Sequence, residues 1–222
     1  MPPTSKRERV SRAEQKARTR TAIVEACREL ITSGRMVTMP EVAGRAGVSE
    51  ATAYRHFSEI VELITTALVD LWPTPAEALA PVAGSTDPLA RLEFATDFLL
   101  RRVTAYQGAV RAVIAATVTS PPRVRDRPGF RFGLIDQALD PVVAADTPAA
   151  AQRLTQLKQD LAAVVSADAL FSLTDLCGLD TEAAIASLQR TVRTIARTAL
   201  SEPGNGHPGE AIADSITSNS GR

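Results

Sequence analysis

Between Thr38 and Phe57 the chain reads TMPEVAGRAGVSEATAYRHF, and the spacing of its capping residues predicts two short helices joined by a tight turn. Thr38 and Glu41 stand at S/T-x-x-E spacing, in which the hydroxyl accepts from the first turn and the carboxylate reaches back to the cap. A helix is therefore expected to start at Thr38. Pro40 falls in the first turn, where its missing N–H costs nothing and its fixed φ helps. Gly47 can adopt a positive φ, Val48 is the apolar residue such a turn buries, and Ser49 can cap a second helix from Glu50 to Phe57. Helix, glycine-containing turn and helix is the helix-turn-helix arrangement, whose second helix lies in the DNA major groove.

On that second helix Thr52, Tyr54, Arg55 and His56 are hydrogen-bonding or cationic, Ala51 and Ala53 are small enough to let DNA approach, and Phe57 reads as the anchor into the domain. The ordered set Thr38, Glu41, Val42, Ala43, Ala46, Gly47, Val48, Ser49, Thr52, Tyr54, His56 and Phe57 resembles the N-terminal signature of the TetR (tetracycline-repressor-like) family of transcriptional regulators. The resemblance implies an all-α chain: a three-helix helix-turn-helix domain followed by a larger helical ligand-binding and dimerisation domain. It also implies a double-stranded DNA operator and a small-molecule effector as partners. For the DNA contacts, Thr38 belongs to the interface, Ser49 positions on phosphate, Thr52 and Arg55 reach base edges, and Tyr54 and His56 resemble the family's phosphate-contacting pair. The family commonly opens its fourth helix with a phosphate-binding Lys. Here Ile60 holds that position, so the role is not carried over.

The flanking sequence fits this frame. Up to Arg20, seven cations (Lys6, Arg7, Arg9, Arg12, Lys16, Arg18, Arg20) oppose Glu8 and Glu14, a net +5, so the rest of a chain that sums to zero carries −5. A basic arm before a helix-turn-helix is placed for phosphate contacts, while the acidic remainder is kept off the DNA backbone. The same run also reads as a solvated tail, and residues 1–12 are expected to be disordered in the free chain. Ile23, Cys27, Leu30 and Ile31 form a helical stripe within an expected first helix from about 13 to 33, completing a DNA-binding domain over 13–60.

A larger helical domain is expected over 61–202. Its first helix, 60 to 71, carries Val61, Ile64, Leu68 and Leu71 at helical spacing, and the prolines from Pro73 to Pro88 mark a connecting segment. The next helix, from Pro88, has a wide apolar face with Arg91, Arg101 and Arg102 mainly on the other side, and Gly108 is expected to interrupt it. Helices follow at 109–119, 132–145, 147–165 and 166–177, with a basic loop at 123–131. A final helix over 181–200 carries Ala184, Ile185, Leu188, Val192, Ile195, Ala196, Ala199 and Leu200 at three-and-four spacing, a face that needs a partner. The resemblance makes 167–201 the homodimer contact; a purely intramolecular helix is the other reading. Residues 203–222, with His207, read as a disordered tail.

Phe94, Phe98, Tyr106, Phe132 and Phe171 are candidate walls of a ligand pocket, and each also reads as ordinary core. No phosphate-cradling glycine loop, HExxH or CxxC pair occurs. The two cysteines, Cys27 and Cys177, are expected to be buried small hydrophobes. With two histidines and no catalytic cluster, no enzyme, metal or cofactor is expected. No apolar run approaches the ~20 residues that span a bilayer, and the basic N-terminus lacks the apolar core of a signal peptide, so the expectation is cytoplasmic. The expected function is a dimeric repressor released from a pseudo-palindromic operator by its effector. An architectural or recombinase-type helix-turn-helix protein without a ligand is the alternative.

Overall fold

The computed structural model describes residues 11–69, 71–119, 129–142 and 147–201, and every regular element among them is helical. Residues 1–10 of the expected arm, most of the basic loop, and the tail with His207 lie outside the described residues. The first helix, α1 (Arg12–Thr32), begins where Ser11 and Glu14 form a reciprocal cap: the Glu14 N–H donates to Ser11 Oγ at 3.1 Å and the Ser11 N–H donates to Glu14 Oε2 at 2.8 Å. Its inner face, Ile23, Cys27, Leu30 and Ile31, is buried against α2 (Met39–Arg45), α3 (Glu50–His56) and α4 (Ile60–Val69). Burial pushes the Cys27 thiol up to about 12, so it is a packed apolar group and not a nucleophile.

In α4 the buried residues are Leu63, Ile64, Ala67 and Leu68, and Val61 and Leu71 are only half-buried. The stripe is thus rotated from the expected one, because α4 packs on α1 while its remaining sides meet the second domain. These four residues lie in the core of the helix-turn-helix, although a division at residue 61 assigns them to the larger domain.

The segment 73–87 is more than a connection. Thr74 caps α5 (Pro75–Ala78), a 3-10 turn covers Ala80–Val82, and Ala78 and Leu79 enter the second core. That core is built from α6 (Pro88–Ala105), α8 (Phe130–Leu139), α9 (Pro148–Val164) and α11 (Thr181–Ser201). Between α6 and α8 runs α7 (Gln107–Thr119), and between α9 and α11 come α10 (Ala167–Phe171) and a wide π-turn over Ser172–Leu176. The stripe of α11 (Ala184, Ile185, Leu188, Val192, Ala196) packs on α6 and α9 within the chain. The apolar face that seemed to need a partner is therefore covered by the chain itself.

Three further expectations are corrected. Arg91 is buried at 4% exposure, not on the solvent side of α6. Its guanidinium donates to Gln137 O (2.5 Å) and Ala138 O (3.2 Å) in the last turn of α8, and to Val82 O (3.0 Å) and Ala83 O (3.3 Å). It bonds carbonyls at a helix end, which have no intrahelical partner, and carbonyls of the turn before α6, where Val82 O also accepts from the Ser85 N–H. Cys177 is exposed, because it follows the π-turn at the surface. The interruption expected at Gly108 falls at Tyr106, the cap between α6 and α7; Gly108 itself lies in the first turn of α7, and a Cβ there would stand 2.7 Å from Arg35 O. The absent side chain lets α7 press on the loop between α1 and α2, and Ala109 beside it is buried in the first core.

Candidate nucleic-acid interface

The helix-turn-helix is set by backbone geometry that the sequence makes cheap. Gly47 takes φ +67°, and the Val48 N–H donates back to Ala43 O at 3.0 Å, while the Val48 side chain packs against the first core. Ser49 caps α3, accepting from the Thr52 N–H at 3.2 Å. At the start of α2, however, the Thr38 hydroxyl lies 3.0 Å from Glu41 Oε2 and donates to it, and makes no bond to the backbone. Thr38 and Glu41 thus form a side-chain pair in place of the expected box. Arg45 ties α2 to α1 through Glu29, Nε to Oε2 at 2.5 Å.

These contacts fix which side of α3 faces out. Phe57 and Ala53 are fully buried, which corrects the reading of Ala53 as a surface of approach: it is the side on which α3 sits on its domain. Tyr54, Arg55, Ser49 and Ala51 are exposed, and Thr52 and His56 are half-buried. A hydrogen-bonded row runs along the outer face, with Ser49 Oγ 2.9 Å from Thr52 Oγ1 and Arg55 Nη2 donating to Thr52 Oγ1 at 3.0 Å. Ile60 is half-buried against the first core, so this position contributes packing.

At the C-terminal end of α3 the fold adds two cations from α1. The Arg20 guanidinium lies 4.2 Å above the Phe57 ring. Lys16, Arg55 and Arg20 all act on His56, whose pKa is lowered first by desolvation and then by these three charges. His56 Nδ1 is buried without a partner. Lys16, Arg20, Arg55 and His56 therefore make one basic patch, drawn from two helices some 35 residues apart in sequence, that sequence reasoning saw only as a charge run and a separate motif.

Behind this unit lies a cavity of about 550 Å³. Thr65, Leu68 and Val69 of α4 form one wall and Trp72 to Pro75 continue it. Leu99 and Val103 of α6, Val110, Val113 and Ile114 of α7, the start of α8 and residues 166–168 complete it. Of the five aromatic residues expected to wall a pocket, Phe132 lines this cavity. Phe94, Phe98 and Tyr106 line a shallower groove of about 320 Å³ along α6 with Arg101 and Arg102, and Phe171 lies under the Arg111 guanidinium at 3.8 Å. Trp72 and Phe130, in edge contact at 4.8 Å, line the larger cavity and were missed. The Trp-Pro pair reads in sequence only as a helix stop. Arg102 stands near Trp72, Phe98 and Tyr106, at 5.9, 5.6 and 5.7 Å, and donates to Leu71 O, linking α6 to the end of α4.

Among the described residues no group of three or more His, Cys, Asp or Glu could hold a metal ion, and no helix is long and apolar enough to cross a membrane. A search of curated proteins gives no significant match. Two solved structures are similar to the chain. One is a TetR transcriptional regulator from Rhodococcus sp. RHA1, 22% identical, covering 82% of this chain and 97% of that one, with a TM-score of 0.49. The other is assigned to the TetR family of transcriptional regulators, from Mesorhizobium loti MAFF303099, 17% identical, covering 84% and 97%, with a TM-score of 0.34. The family profile described as bacterial regulatory proteins, tetR family, matches residues 23–66, which run from the buried face of α1 through the helix-turn-helix into α4. That match lies over a helix-turn-helix whose outer face is polar and cationic, so over residues 23–66 the chain is similar to the bacterial regulatory proteins of the tetR family.

Proposed function

We propose that the chain acts as a homodimeric repressor, released from a pseudo-palindromic operator when a small molecule occupies the cavity behind the helix-turn-helix. The observation that carries this reading is the double duty of α4. Leu63, Ile64 and Ala67 belong to the core that holds the recognition helix, and Thr65 and Val69 line the cavity. A ligand that fits one position of α4 better than another shifts the balance between DNA-competent and released states by that difference in affinity.

On DNA, two copies of α3 enter successive major grooves about 34 to 36 Å apart. Thr52 and Arg55 reach base edges; Thr38, Ser49, Tyr54 and His56 position on the phosphate backbone together with the basic N-terminal arm. The dimer contact lies within 167–201. Since the α11 stripe is internal, the contact uses the outward side of that stretch, where Leu176 is 84% exposed and Leu200 37%.

Selection of bound fragments from the host genome, light scattering of the complex, and titration of the selected operator with a metabolite panel test the proposal together. Two chains per palindromic site and release by one class of metabolite are expected. Equal affinity for unrelated duplexes, with no metabolite effect, would replace it with an architectural helix-turn-helix protein.

A further inference from the structure

Resting on the proposed effector site, we propose that the ligand of the cavity is an apolar carboxylate: an aliphatic or aromatic body in the pocket, with its anionic head on Arg131. The body follows from the walls. Leu68, Trp72, Leu99, Val103, Val113 and Phe130 present hydrocarbon, and the volume of about 550 Å³ is that of a site for a small organic molecule.

The head follows from the polar groups that share those walls. Thr74 and Ser166 are already satisfied: the Thr74 hydroxyl donates to Glu77 at 2.8 Å, and the Ser166 hydroxyl donates to Ala163 O at 3.0 Å. Arg131 is different. Its side chain is 27% exposed, its nearest carboxylate oxygen is Asp168 Oδ2 at 3.9 Å, and its guanidinium lies 4.9 Å from the Phe132 ring. At that distance the ion pair is not a hydrogen bond, and among the described residues the guanidinium donates none. Other arginines in the second domain show what such a group does when satisfied. Arg111 takes Asp175 at 2.6 and 2.8 Å, and Arg101 takes Glu182 at 2.8 and 3.0 Å, each as a two-point pair. Arg131 lines a mostly apolar cavity, and its fork has no two-point partner of that kind, a site that a ligand carboxylate fills. Asp168 does not argue for a cationic ligand, because at 58% exposure its charge is met by water. Thr65 supplies a second polar point on α4. Unlike Thr66, which donates to Glu62 O at 2.8 Å, its hydroxyl makes no hydrogen bond among the described residues.

The test uses the full chain, the neutral dye Nile red as a reporter of the cavity, and three ten-carbon probes that differ only in the head: decanoate, decanol and protonated decylamine. The single tryptophan, Trp72, lines the cavity and gives an independent emission signal. Decanoate is expected to displace the dye about tenfold better than either other probe, the scale of a charge-assisted hydrogen bond. Arg131→Gln is expected to remove that advantage and leave decanol unchanged, while Asp168→Asn increases it. Val110→Phe, which narrows the cavity, is expected to block all three. Dye binding that Val110→Phe blocks, with no preference for decanoate or a preference that survives Arg131→Gln, overturns the carboxylate inference and leaves the effector site standing. Dye binding and Trp72 emission that ignore Val110→Phe overturn the effector site and this inference with it.

Discussion

Replacing Arg91 by Met keeps most of the side-chain volume and removes every donor, and the consequence follows from four carbonyls. Gln137 O and Ala138 O lie at the end of α8, Val82 O and Ala83 O in the turn before α6, and the guanidinium bonds all four within 3.3 Å. A buried acceptor left without a donor costs about 1 to 3 kcal/mol. Val82 O keeps the Ser85 N–H and some of the others regain water where the turn is exposed, so the net loss is about 3 to 5 kcal/mol. For a chain of this size each kcal/mol moves the melting midpoint by roughly 2 to 4 °C. Arg91→Met is therefore expected to lower it by about 6 to 20 °C in thermal unfolding followed by circular dichroism. Arg101→Met is the matched control on the same helix, since its two-point pair with Glu182 is at the surface and such pairs contribute little. If the two variants melt together, the claim that Arg91 holds the end of α8 is wrong.

Arg55→Ala is expected to weaken specific operator binding by ~1 to 3 kcal/mol with the loss concentrated at one base position; uniform losses across operator variants would make Arg55 a phosphate contact. Gly108→Ala places a methyl group 2.7 Å from Arg35 O and is expected to cost about 1 to 3 kcal/mol in urea unfolding. An unchanged or higher midpoint, as helix propensity alone predicts, would show that α7 does not press on that loop. His56 has a folded-state pKa below its ordinary 6.5. Its contribution to stability is thus present above that value and is lost as pH falls from 6.5 through the folded pKa. A phosphate at the basic patch raises the same pKa, so operator affinity is expected to rise as pH falls, and His56→Asn to flatten both profiles. A pH-independent operator affinity in the unmodified chain would remove His56 from the phosphate contacts.

How far the sequence could be read depended on the range of the interactions involved. The helix-turn-helix was legible because its rules are local: Gly47, Val48 and Ser49 act on backbone within a few residues, and Phe57 is large and apolar. The stripe of α11 was legible as buried, but periodicity does not say whose surface covers it, and α6 and α9 of the same chain do. Arg91 was misplaced because a cation on a helix is assigned to water unless its acceptors are known, and they lie 46 and 47 residues away. Most of the cavity lining escaped the sequence for a related reason. Large aromatic residues are the walls the sequence suggests, whereas seven of the nineteen lining residues are aliphatic side chains that converge from α4, α6 and α7, each ordinary in its own helix.

The placement of α4 also bears on how the molecule comes apart. Leu63, Ile64 and Ala67 cannot leave the first core without carrying Thr65 and Val69 out of the cavity wall, and Ala109 binds α7 into the same cluster. The head and the body of the protein are then one cooperative unit. A molecule bound in the cavity should slow hydrogen exchange at amides of α1 and α3 that it never touches.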